Sequence, residues 1–205
     1  MLQPRNIYAM GASHTSLYEK FNRIIVGPVT MHRYGRDGII DTAMRTAKTF
    51  RVPEPGDFLL IVAGEIDCRY HFYKQIYELG RDEDEVVHEL AQRFTKSMIT
   101  FRNRTGVDVG VRGIVPPLSV SLHHNPYLPI LGDLEDRKRW RLKLNRKLKE
   151  FCDEYKFLFV PSPPWAENPD HTMKLYMSDG TIHIHDRYAE SVCADLLEAI
   201  ERFYY

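Results

Sequence analysis

Three polar residues near the two ends of the chain carry side chains that nucleophilic catalysis needs. Ser13 follows a short apolar run, while Asp179 and His183 stand four positions apart just before a helical pattern. A serine hydroxyl is a weak nucleophile until a neighbouring base takes its proton. Imidazole titrates near neutrality and a carboxylate can fix its tautomer. His183 is therefore the candidate base, and Asp179 is the candidate partner that orients it.

Simpler roles are open for the same residues. A serine before a helical start is common as a helix N-cap. Asp179-Gly180 is a typical turn dipeptide, and a turn can also carry a catalytic aspartate.

A metal site is a second reading of the same region. In an extended segment His183 and His185 point the same way. A third ligand could come from elsewhere in a chain with nine histidines, and the candidates are His14, His32, His71, His123 and His124. No His-Glu-x-x-His pattern is present, so the serine site is favoured and no metal or other cofactor is expected.

Size and charge restrict the classes of function. The 205 residues suit one domain spanning 1–205, and 28 basic residues balance 28 acidic ones. Neutral net charge argues against a nucleic-acid partner, and no apolar run is long enough for a membrane span. Three widely spaced cysteines and no secretory pattern at the N-terminus predict a cytoplasmic protein. The oligomeric state stays open.

Strands and helices alternate along the sequence. Apolar runs predict five strands, at 6–10, 23–26, 57–63, 107–115 and 156–160. Helical spacing predicts helices at 39–50, 82–104, 134–155 and 186–203. Such alternation predicts an α/β fold, a three-layer α/β/α sandwich around a five-stranded parallel sheet. Ligands bind such sheets beyond the carboxyl ends of the strands, where Ser13, Asp179 and His183 are expected to meet.

The order of these motifs resembles the SGNH (GDSL-type) hydrolase family, whose fold is flavodoxin-like. Gly11-Ala12-Ser13 resembles its first block and Gly64-Glu65-Ile66-Asp67 its third. Asp179-Gly180-Thr181-Ile182-His183 resembles the last block, with one residue more between Asp and His. The second block, a glycine, is matched by Gly35 or Gly38. The resemblance implies Ser13, Asp179 and His183 as the catalytic residues.

The resemblance also implies the groups that hold the oxyanion. They are the backbone N–H of Ser13, that of Gly35 or Gly38, and Gly64 of the third block. Ile66 occupies the place of an asparagine whose side chain helps to hold the oxyanion in the family. Losing one such donor typically costs about 100- to 1000-fold in rate.

Polar side chains after the third strand are expected to bind substrate or to brace the site. Arg69 could hold a carboxylate and the others a sugar, or the group could form a structural ion-pair cluster. The expected substrate-binding residues are His14, Glu65, Asp67, Arg69, His71 and His124. The loop Leu118–Asp133 is expected to shape the pocket.

The function that follows is an ester hydrolase or O-acyltransferase that forms an acyl-enzyme on Ser13. By family analogy, the partner is a small-molecule or glycan ester, with acetylated carbohydrate favoured. Two alternatives remain: a metal-dependent hydrolase built on His183 and His185, and a catalytically silent carbohydrate-binding module of SGNH type.

Overall fold

A computed structural model describes residues 3–48, 50–120 and 126–205. Its centre is a five-stranded parallel sheet with the strand order β2-β1-β3-β4-β5. The strands are β1 (Ile7–Gly11), β2 (Asn22–Ile25), β3 (Phe58–Val62), β4 (Asp108–Arg112) and β5 (Leu158–Val160). The α-helices are α1 (Met31–Asp37), α2 (Ile39–Thr46), α3 (Glu83–Thr105), α4 (Leu134–Tyr155) and α5 (Ala189–Tyr204). The predicted fold class is confirmed.

The central strand β3 explains why the sheet is covered on both faces. Its five residues are all buried, and successive side chains point to opposite faces of a sheet. Leu59 and Ile61 belong to a core shared with α1, α2, α3 and α4. Phe58, Leu60 and Val62 belong to a second core with α5 and a 3₁₀ helix at Ser13–Tyr18. The continuous apolar run therefore fits a strand between two helical layers.

Several elements differ from the prediction, and strand β4, for example, ends at Arg112 rather than at Val115. Helix α1 was not predicted; it falls in the segment expected to hold the glycine block. Helix α2 ends at Thr46 rather than Phe50. Helix α5 starts at Ala189, because Asp186–Tyr188 forms a separate 3₁₀ turn before it.

Two capping residues fix the long helices where the sequence predicts them. The side chain of Asp82 accepts a hydrogen bond from Glu85 N, and that of Asp133 accepts one from Asp136 N. Each satisfies an N–H that has no partner within the helix, which stabilises a helix start by about 1 kcal/mol. In the described part of the chain, no helix is both long and apolar enough to cross a membrane.

Candidate active site

Ser13, His183 and Asp179 lie in a hydrogen-bonded chain. Ser13 Oγ is 2.7 Å from His183 Nε2, and His183 Nδ1 is 3.2 Å from Asp179 Oδ2. Ser13 is exposed at the start of the 3₁₀ helix that follows β1. With a proton on Nδ1, the Nε2 lone pair of His183 can accept the serine proton. This is the arrangement that activates a serine.

A tight hairpin-like loop supplies both the aspartate and the histidine. Ser178 and Ile184 form an antiparallel bridge, and Asp179 N donates to His183 O at 3.2 Å. Gly180 sits at the turn with φ +90°, a conformation that side-chain-bearing residues rarely adopt. This loop accommodates the additional residue between Asp and His and still brings the two side chains together.

Thr181, which the sequence reasoning missed, connects the aspartate and the histidine. Its hydroxyl oxygen is 2.6 Å from Asp179 Oδ1 and 2.9 Å from His183 Nδ1. The hydroxyl can donate to the carboxylate while it accepts from the imidazole N–H. Thr181 N also donates to Asp179 Oδ1 at 2.8 Å. The only sequence signal for this role is its place inside the Asp-to-His segment.

The charge state of Asp179 follows from these contacts. Partial burial would raise the pKa of this carboxyl, but the two hydrogen bonds from Thr181 and the nearby His183 lower it below its ordinary value. Asp179 is therefore a carboxylate across the neutral range, as an acceptor for His183 Nδ1–H must be.

His14 joins the serine segment to the histidine segment. Its Nε2 is 3.1 Å from the carbonyl oxygen of Ile182, and its ring centroid is 4.7 Å from that of His183. Burial and the neighbouring His183 lower the pKa of His14 to about 3, so its ring is neutral. The side chain expected to bind substrate thus holds the hairpin-like loop against the serine.

A cavity of about 370 Å³ opens beside Ser13 and His183. Its wall contains residues from the carboxyl ends of β1, β2, β3 and β4, as expected for a parallel sheet. Part of the wall is apolar, formed by Leu17, Tyr18, Val62, Val115 and Val192. The cavity is large enough to hold a small ester beside the serine.

The structure corrects the glycine expected to hold the oxyanion. Gly35 lies within α1, where a Cβ atom would come within 3.1 Å of the backbone of α3, and it does not line the cavity. Gly38 ends the same helix and is also absent from the wall. Gly27 lines the cavity instead. Gly27 directly follows the second predicted strand, and this position was the signal in the sequence that could have identified it.

Backbone N–H groups at the cavity are free to bind an oxyanion. Within the described residues, the N–H groups of Ser13 and Gly27 make no hydrogen bond. Gly64 also lines the cavity, and a Cβ there would lie 2.7 Å from Ile114 Cγ1, so only glycine fits this turn. Ile66 contributes apolar surface to the wall.

Glu65 and Arg69 line the cavity as an ion pair. Arg69 Nε lies 2.7 Å from Glu65 Oε1, and its Nη1 donates to the carbonyl oxygen of Leu128. Burial raises the pKa of Glu65, although Arg69 opposes this effect. The pair ties the helical turn after β3 to the loop ahead of α4, and both side chains remain at the cavity wall.

Asp67 and His71 lie away from the cavity wall, which corrects their expected role in binding substrate. The Asp67 carboxylate accepts hydrogen bonds from Met31 N at 2.8 Å and His32 N at 3.3 Å, at the start of α1. His71 packs against His32 with 4.4 Å between ring centroids. Each of the two therefore supports the fold around α1. His124 lies outside the described residues.

The histidines considered for a metal site have other partners. Both ring nitrogens of His183 are engaged, and His185 Nδ1 accepts from Arg187 N at 3.1 Å. Among residues 3–48, 50–120 and 126–205, no group of three or more His, Cys, Asp or Glu side chains could hold a metal ion. His123 lies outside these ranges.

Comparisons with known proteins agree on the fold. No family model and no curated protein matches the sequence. The solved structures that resemble the chain over nearly its whole length include the following three. They are a GDSL-like lipase from Bacteroides thetaiotaomicron (TM-score 0.57, 13% identity, 98% of this chain and 92% of that one), an acetylxylan esterase from Geobacillus stearothermophilus (TM-score 0.56, 12% identity, 97% and 95%), and TesA (TM-score 0.55, 14% identity, 96% and 98%). The chain thus has the fold of SGNH/GDSL-type hydrolases, as the motif order predicted.

Proposed function

We propose that this protein is an ester hydrolase or O-acyltransferase that acts through Ser13. The observation that carries the proposal is the 2.7 Å contact between Ser13 Oγ and His183 Nε2, with Asp179 and Thr181 behind the imidazole. An exposed serine has no structural need for such an arrangement beside a cavity. The common fold of the esterases and lipases above supports the same chemistry by analogy.

The proposed reaction has two steps. Ser13 Oγ attacks the acyl carbonyl carbon while its proton moves to His183 Nε2. The N–H groups of Ser13 and Gly27, with Gly64 as the third candidate, hold the oxyanion that forms. The C–O bond to the alcohol then breaks, and His183 returns the proton to the leaving oxygen. In the second step, water or an acceptor hydroxyl attacks the acyl carbon while His183 takes its proton. The bond between the acyl carbon and Ser13 Oγ then breaks, and His183 returns the proton to Ser13.

Acetylated carbohydrate is the proposed substrate class. The polar pair Glu65 and Arg69 at the cavity wall can form hydrogen bonds with sugar hydroxyls. The cavity is open beside the serine, so a sugar acceptor could compete with water for the acyl group. Hydrolysis and transfer then differ only in whether water or a sugar hydroxyl attacks the acyl-enzyme.

The test is hydrolysis of 4-nitrophenyl acetate by wild type, Ser13→Ala and Ser16→Ala. Ser16 is an exposed serine on the same 3₁₀ helix, 3.3 Å from Asp186, and is the matched control. We expect Ser13→Ala to lower kcat by at least about 1000-fold, because in the described part of the chain Ser13 is the one hydroxyl in contact with His183 Nε2. Ser16→Ala should keep wild-type activity. Equal rates in wild type and Ser13→Ala would overturn the proposal.

A catalytically silent binding module is the second candidate, and Ile66 is the observation that favours it. The apolar side chain of Ile66 cannot donate a hydrogen bond to an oxyanion where the family has an asparagine. Binding of an acetylated xylo-oligosaccharide that survives Ser13→Ala, with no turnover by wild type, would support this candidate. Turnover that depends on Ser13 would exclude it.

A further inference from the structure

A second, smaller cavity of about 30 Å³ adjoins the serine cavity. The two cavities share wall residues, namely Glu65, Arg69, Ile114, Val115 and Ile182. Ile182 directly precedes His183, so the second cavity continues the site on the side of the general base. In the proposed mechanism His183 gives its proton to the leaving alcohol. This side of the site therefore faces the alcohol part of the ester.

Three arginines line the second cavity, and two of them already have carboxylate partners. Arg141 makes two parallel hydrogen bonds to Glu167, of 2.9 and 2.7 Å. Arg69 lies 2.7 Å from Glu65. A bidentate or close pair of this kind largely neutralises both members.

The third arginine, Arg137, has no such partner. Its one hydrogen bond runs from Nε to the carbonyl oxygen of Asp133, at 3.3 Å, and it forms no ion pair within the described residues. The nearby charges of Glu65 and Asp133 favour its charged form, but burial outweighs them and lowers the pKa of the guanidinium. Arg137 is thus a partly desolvated cation, and most of its donors have no partner among residues 3–48, 50–120 and 126–205.

We propose that Arg137 binds a carboxylate on the alcohol part of the substrate, which makes the substrate class an acylated uronic acid or similar acidic sugar. This inference rests on the proposed function. A guanidinium matches the two oxygens of a carboxylate, and a desolvated cation gains more from such a pair than an exposed one. The second cavity, of about 30 Å³, has no room for a sugar ring, so the group that enters it from the serine cavity is small, as a carboxylate is.

The experiment compares O-acetylated oligogalacturonates with neutral O-acetylated xylo-oligosaccharides. Wild type should have the lower KM for the acidic substrate, and added salt should raise that KM. Arg137→Gln should raise the KM for the acidic substrate at least about 10-fold and leave kcat within about twofold. Its KM for the neutral substrate should stay unchanged, because the contact is made only by the carboxylate.

Arg146→Gln is the matched control. Arg146 is exposed on the same helix, lines neither cavity and carries the same charge. This variant should behave as wild type with both substrates, and thermal unfolding should show both variants folded. If Arg137→Gln changed the KM for acidic and neutral substrates equally, the proposed carboxylate subsite would be wrong. The same holds if it changed neither KM. Absence of turnover of 4-nitrophenyl acetate by wild type would instead overturn the proposed function.

Discussion

At the scale of single residues, the orientation of His183 depends on Thr181 as much as on Asp179. The threonine hydroxyl is the nearer acceptor for Nδ1, at 2.9 Å against 3.2 Å for the carboxylate. It also holds the carboxylate through a 2.6 Å hydrogen bond. Removing the hydroxyl should loosen both partners without removing the base or the nucleophile.

Thr181→Val tests this role, because valine keeps the shape of threonine without its hydroxyl. We expect kcat for 4-nitrophenyl acetate to fall by about 10-fold, which corresponds to about 1.4 kcal/mol, with KM little changed. Thr181→Ser should restore most of the rate, since serine supplies the same hydroxyl. Unchanged kcat in Thr181→Val, or failure of serine to restore a lost rate, would show that Asp179 orients His183 alone.

At the scale of elements, Asp67 connects the turn after β3 to the start of α1. Helix starts leave backbone N–H groups without partners inside the helix. Thr30 Oγ1 accepts from Arg33 N, and Asp67 accepts from Met31 N and His32 N. Burial raises the pKa of Asp67 from 3.8 to about 7, although the two N–H donors oppose the shift.

This raised pKa fixes the direction of a pH effect. Between about pH 4 and pH 7 the folded protein keeps a proton on Asp67 that the unfolded chain releases. The contribution of this group to stability is thus fully present at low pH and is lost as pH rises through about 7. Asp67→Asn cannot ionise, so urea unfolding should show its free energy of unfolding rising relative to wild type between pH 5 and pH 8.

Asp41→Asn is the control for that comparison, since Asp41 is an exposed carboxylate on α2. The difference in free energy of unfolding between Asp41→Asn and wild type should stay constant over the same pH interval. A constant difference between wild type and Asp67→Asn would mean that Asp67 keeps an ordinary pKa in the fold. Asp67→Asn should also keep the activity towards 4-nitrophenyl acetate, since Asp67 lies outside the cavity wall.

The sequence predicted regular elements better than local packing. Helix α4 has the predicted bounds, because its caps and apolar spacing lie within the helix itself. Helix α1 escaped prediction, since it has only seven residues, contains Gly35 and has its first N–H group bound by distant Asp67. Gly35 was predicted in place of Gly27 because only the tertiary structure shows which glycine lies at the cavity.

At the scale of the whole molecule, the catalytic set depends on joining the two ends of the chain. Ser13 and His183 are 170 residues apart, and Ser16–Asp186 and Lys20–Glu190 hold the same two segments together. The order of motifs predicted this meeting, because parallel strands end at one edge of the sheet. The contacts of Arg69 with Leu128 and of Arg141 with Glu167 could not be predicted, since they depend on how loops pack across that edge.

The most direct test of the central claim is labelling with a fluorophosphonate, followed by peptide mass spectrometry, in wild type and His183→Ala. A fluorophosphonate reacts with a serine whose hydroxyl is activated by a base. We predict one label on Ser13 in wild type, and at least a 100-fold slower labelling of Ser13 in His183→Ala. No label on Ser13 of the folded wild-type protein, or equal labelling of both proteins, would contradict the account.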